Sequence, residues 1–145
     1  MRVRTLVSVV IVTFIVFAGL SQAQEKSNVK INQVAAPPTS AASGGEMYRS
    51  YCASCHGKDG KGDGPAAPAL KIAPTDLTQL AKQNKGVFPS AHVSTVLQQG
   101  AVVAHGSTEM PVWGPIFRNV SNGSQAQVLQ RSRNLTKYIE SMQAK

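Results

Sequence analysis

The hydrophobic pattern divides the chain in two. From Leu6 to Leu20 apolar residues run almost without a break and without a period. From Gly44 onward they recur every three or four positions, the spacing of helix faces. Met47, Tyr48, Tyr51, Cys52 and Cys55 share one such face and predict a first helix opening at Gly44-Gly45. Thr75 or Asp76 reads as the N-cap of a short helix from Leu77 to about Asn84, stopped by Lys85-Gly86. Phe88-Pro89-Ser90 begins another, with Val93, Val96 and Leu97 on its apolar side and Gly100 at its end. Residues 119–124 form a turn and cap, and a last helix follows from about Gln125 to Gln143. Its apolar stripe is Val128, Leu129, Ser132, Leu135, Tyr138, Ile139 and Met142, with Arg131, Arg133 and Lys137 turned to water. No alternating Val/Ile run follows the opening apolar block, so the expected fold class is all-α.

Two glycine- and proline-rich segments interrupt the helices. Gly57 to Gly64 holds four glycines in eight residues and reads as a loop. It lacks the Gly-Lys-Ser/Thr ending of a phosphate loop and the acidic spacing of a calcium loop. Residues 104–115 carry Gly106, Pro111, Gly114 and Pro115, which predict a second loop with no regular element.

The opening block changes the domain picture. Arg2 and Arg4, the apolar run and Ser21-Gln22-Ala23 have the form of a secretory signal peptide over residues 1–23, cut after Ala23. The run is shorter than the roughly 20 apolar residues of a membrane span, so membrane association requires that the segment stay uncleaved. Residues 24–43 are rich in small residues and prolines and read as a disordered linker. That leaves one domain over residues 44–145, of ordinary size.

Charge adds less. The 145-residue chain has 15 Lys and Arg against 7 Asp and Glu. Removal of Arg2 and Arg4 leaves about +6. Lys58, Lys61, Lys71, Lys82 and Lys85 are scattered. They read either as a solvated basic surface or as steering charge toward an acidic partner. No nucleic-acid-binding motif is present.

The chemistry concentrates at Cys52-Ala-Ser-Cys55-His56. It holds the only two cysteines, two residues apart, with a histidine directly after the second. Cys-x-x-Cys-His is the c-type haem attachment pattern. A disulfide, a thioredoxin-like pair and half a zinc site compete for it. The thioredoxin reading wants a βαβ context, and the zinc reading wants a second ligand pair.

On these residues the chain resembles the class I c-type cytochromes, small carriers with one covalent haem. The resemblance runs from Gly44 to about Met142. It implies several short helices wrapped round the haem, with the N- and C-terminal helices crossing. Gly44 or Gly45 and Tyr48 would meet Tyr138 at that crossing. It implies haem c attached through Cys52 and Cys55, with His56 as the proximal iron ligand. The Gly64-Pro65 pair matches the family's Gly-Pro, so Pro65 is expected to offer its carbonyl to the His56 ring N–H. Met110, in Met-Pro context downstream, matches the sixth-ligand methionine. His105 is the rival ligand. Trp113 either contacts the haem or its propionates or simply packs. The implied function is one-electron transfer between redox partner proteins, by an exported or periplasmic protein that is not itself an enzyme. The alternatives are a haem subunit held in a larger dehydrogenase or oxidase, and a haem enzyme or gas binder if the sixth ligand is labile.

Overall fold

The structure, a computed structural model, describes residues 36–100 and 109–144. Among these residues it is all-α, as the periodicity predicts. The elements are α1 (Gly44–Tyr51), α2 (Ala53–His56), α3 (Leu80–Gln83), α4 (Ser90–Gln99), α5 (Trp113–Val120) and α6 (Gln125–Ser141), with 3-10 turns at Ala67–Ala69 and Leu77–Gln79. The signal segment and His105 lie outside the described residues. Among the described residues no helix is long and apolar enough to cross a membrane.

Local chemistry sets the helix ends. Ser43 caps α1, its hydroxyl accepting the Glu46 N–H at 3.2 Å, and Ser124 caps α6 through the Gln127 N–H. Asp76, one of the two expected caps, accepts the Thr78 N–H at 2.9 Å. Lys85 and Gly86 both take positive φ and end the short helix, and Gly100 ends α4.

The core forms where α6 crosses α1. Gly44 is buried, and a Cβ there would run into the Asn134 carbonyl of α6 and lie 2.9 Å from the Tyr138 Cβ. At Gly45 the nearest atoms are Tyr138 ring and Arg49 side-chain atoms at 3.0 and 3.3 Å. Gly44 is therefore the residue that lets the two backbones approach. The Tyr48 and Tyr138 rings meet with centroids 5.3 Å apart, tilted by 44°. Met47, Tyr48, Leu97, Phe117 and Leu135 are almost wholly buried around this crossing.

Three expectations need correction. The segment 113–120 is helical, although Gly114 and Pro115 were expected to forbid it. Both fall in its first turn, where a proline loses no intrahelical hydrogen bond. Gly114 also sits against the Gln98 carbonyl of α4, where a Cβ would collide. On α6, Arg131 is 3 % exposed and Leu129 is 41 % exposed, the reverse of their expected places. Arg131 falls three residues after Val128 and four before Leu135, so helical spacing carries it inward despite its charge.

That guanidinium explains the third correction. Residues 36–43, expected to belong to a disordered linker, lie against the domain. Arg131 donates to the Thr39 hydroxyl at 2.9 Å, to the Thr39 carbonyl at 2.8 Å and to Ser121 Oγ at 3.0 Å. Asn134 donates to the Ala41 carbonyl, and the Tyr51 hydroxyl donates to the Pro37 carbonyl at 2.6 Å. Ala36 packs on the core. The buried charge is satisfied by neutral oxygens, two from Thr39 of this strap and one from Ser121.

Candidate functional site

The site begins at the junction of α1 and α2. Cys52 N–H donates to the Tyr48 carbonyl and His56 N–H to the Cys52 carbonyl, both at 2.9 Å, so the two helices are almost continuous. Continuity aligns Cys52 with the buried face of α1. Cys52 is 7 % exposed, Cys55 is partly exposed, and the two are not bridged. Burial, then the neighbouring Cys55, pushes the Cys52 thiol up to about 12. A thiol held protonated is unlike the low-pKa thiol of a dithiol oxidoreductase.

A four-residue helix ends with carbonyls that need partners. The glycine-rich loop supplies them in order. Gly62 N–H donates to His56 O at 2.8 Å, Gly64 N–H to Cys55 O at 3.1 Å and Ala66 N–H to Ser54 O at 2.8 Å. Gly57, at φ 81°, starts the reversal, and its carbonyl accepts the Tyr48 hydroxyl at 2.8 Å. Gly64 presses so closely on α2 that a Cβ would overlap the Ser54 carbonyl.

The folded-back loop brings the segment after it to the histidine. His56 Nδ1 lies 3.0 Å from the Thr75 carbonyl oxygen. A carbonyl only accepts, so Nδ1 carries the proton and Nε2 keeps its lone pair. Burial lowers the His56 pKa below its ordinary value, and the Thr75 hydrogen bond partly opposes this. The ring is thus neutral at pH 7, the form that ligates a metal.

Met110 reaches the same space. One cleft is lined by Cys52, Cys55, His56, Tyr51, Leu70, Pro74, Glu109, Met110, Pro111 and Trp113. Two thiols, an imidazole and a thioether therefore share a largely apolar cleft. Met110 is half-buried and packs on the core.

Residues 39–122, more than half of the chain, match the family model described as cytochrome c oxidase, cbb3-type, subunit III. The chain belongs to this family of c-type cytochromes. No curated protein and no solved structure matches it.

A cytochrome c domain implies covalently bound haem c and haem-based electron transfer. The cleft fits such a group. Its thiols, spaced by two residues, suit thioether attachment, its imidazole and thioether suit iron, and its apolar walls suit a macrocycle.

Within the cytochrome the expected residues fare unequally. Cys52, Cys55, His56, Met110 and Trp113 come together around the cleft. Pro65 does not: it is exposed, and Thr75 supplies the carbonyl that His56 meets. The reason is the pinning of the loop. Bonds from Gly64 and Ala66 to Cys55 and Ser54 hold Pro65 on the outer side of α2. Trp113 both packs and lines the cleft, stacking on Tyr51 with centroids 5.1 Å apart and planes 29° from parallel. His92 is exposed on α4.

Thr75, Pro74, Leu70, Tyr51, Glu109 and Pro111 are the residues that sequence reasoning missed at the site. Thr75 acts through its backbone, which leaves no side-chain signature. Tyr51 had a signal, since it shares the helix face of Cys52 and Cys55.

Proposed function

We propose that this cytochrome is an exported one-electron carrier, with one haem c bound through Cys52 and Cys55 and His56 and Met110 as axial ligands. The observation that carries this reading is a single cleft lined by both thiols, His56 and Met110. The haem, when bound, supplies an iron that cycles between ferric and ferrous. The chain's residues do the rest. The Thr75 carbonyl orients the His56 ring and keeps its Nε2 available. The Met110 thioether, a soft donor, favours the ferrous state relative to a second nitrogen ligand. Leu70, Pro74 and Trp113 give the site apolar walls.

His56 and Met110 would together hold the iron, which would leave no ligand position for oxygen or peroxide chemistry. The domain then works as a carrier, and catalysis belongs to its partners. The basic surface suits an acidic donor or acceptor. The visible spectrum of protein made with cytochrome c maturation tests the reading. Expected are c-type bands and a weak Fe–Met charge-transfer band in the oxidised protein. Rapid, complete carbon monoxide binding to the reduced protein at neutral pH overturns the six-coordinate carrier.

The family description favours a second reading, a haem subunit held in an oxidase. Ile72 and Val112, 49 % and 43 % exposed, each lie in sequence between two residues that line the cleft. They give such a contact an apolar part. Size and subunit content of the protein extracted from native membranes distinguish the two: the carrier runs as a single chain, the subunit with oxidase.

A further inference from the structure

The methionine side of the cleft is fastened by a side chain. The Glu109 carboxylate accepts the Lys71 backbone N–H, at 3.1 Å to one oxygen and 3.3 Å to the other. Lys71 directly follows Leu70, which also lines the cleft. On the other side of Met110, Trp113 is buried against Tyr51 and opens α5. Met110 is thus held from both directions, one residue after the carboxylate and three residues before the indole. A charged acceptor strengthens the bond, and the bond is exposed, so water competes for it.

We infer that Glu109 is a positioning residue, whose carboxylate clasps the Lys71 backbone N–H and so holds Met110 at the haem. This rests on Met110 being the axial ligand. The clasp sets the fraction of molecules in which the methionine is detached. A small external ligand for the iron reads that fraction directly, because its apparent affinity scales with the open population.

The test compares oxidised holoprotein variants by cyanide titration and by the Fe–Met charge-transfer band. Glu109→Ala is expected to bind cyanide about fivefold more tightly than the parent protein, the scale of one lost hydrogen bond, and to show a weakened band. Glu109→Gln keeps an acceptor oxygen and is expected near the parent value. Lys71→Ala keeps the backbone donor and is expected to match the parent. Met110→Ala, run alongside, separates the two claims. If it keeps the band, methionine ligation itself is wrong. If it loses the band while Glu109→Ala matches the parent in both readouts, the clasp alone is wrong. Equal shifts in Glu109→Ala and Glu109→Gln, or a Lys71→Ala shift as large as that of Glu109→Ala, also overturn the backbone clasp.

Discussion

On the attachment side of the cleft, the last three carbonyls of α2 each receive an N–H from the following loop. The histidine ring has its own carbonyl partner in Thr75. On the methionine side, Met110 sits in irregular chain between the exposed Glu109 carboxylate contact and the buried Trp113 indole. The two proposed ligands therefore differ in how firmly the protein determines them. A backbone network opens only by breaking several bonds together, whereas an exposed side-chain contact opens locally. His56 should stay on the iron under conditions that release Met110.

The largest break of this contrast removes the attachment itself. Cys52→Ser with Cys55→Ser is expected to leave a largely unfolded chain, because a haem bound only to the folded state contributes directly to its stability. Far-UV circular dichroism and thermal melting check this. A compact apoprotein with a cooperative melt contradicts it.

Next in size is Gly64→Ala, aimed at the network. The new Cβ would meet backbone atoms, the Ser54 carbonyl first, so a side-chain rotation cannot relieve it. The loop must move off α2 and surrender its bonds to Cys55 and Ser54. The expected cost is about 3 kcal/mol in denaturant unfolding of the holoprotein. Gly45→Ala, which meets chiefly side-chain atoms, is the smaller comparison. Equal stability of Gly64→Ala and the parent protein would mean that the network does not determine this wall.

Met110→Ala tests the other wall. The residue is only half-buried, so the loss in unfolding free energy should be about 1–2 kcal/mol, at or below the low end for a core methionine. The functional change is larger in kind: loss of the Fe–Met band, a lower reduction potential and carbon monoxide binding to the reduced protein. A variant that keeps the parent potential and excludes carbon monoxide points to another sixth ligand, with His105 the first to examine.

The same contrast explains what was legible in the sequence. The attachment motif could be read because thioether chemistry demands its spacing. The presence of Met110 in the cleft could be suspected because its Met-Pro context in a glycine- and proline-framed loop resembles that of the family's ligand methionine. The partner of His56 could not. Any residue has a carbonyl, and which one reaches the ring depends on how the glycine loop folds back. Pro65 was chosen by resemblance, and the bonds of its neighbours carry it away. Arg131 was misread because its charge was weighed above its position between Val128 and Leu135. The strap of residues 36–43 followed from the same error, since its acceptors matter only once that guanidinium is buried. The helix at 113–120 was missed because glycine and proline were counted as breakers without asking whether they fall in a first turn.

The smallest expected effect joins the network to pH. The Tyr48 hydroxyl donates to the Gly57 carbonyl at 2.8 Å, at the point where the chain leaves α2. Tyr48→Phe removes that donor while keeping the ring that meets Tyr138, at an expected cost of about 1 kcal/mol near neutral pH. Burial, ahead of its charged neighbours, pushes the Tyr48 phenol above its ordinary 10.0. A pKa raised on folding gives stability that is fully present below the unfolded value. Above about pH 10 the unfolded chain loses the proton first, so this stability declines as pH rises further. The parent protein should therefore lose stability between pH 9 and 11 more steeply than Tyr48→Phe, and the gap between them should narrow over that window. Denaturant midpoints at both ends of the window measure it. If the two proteins decline in parallel, Tyr48 ionisation is not linked to unfolding, and the hydroxyl serves only as the donor that fixes Gly57.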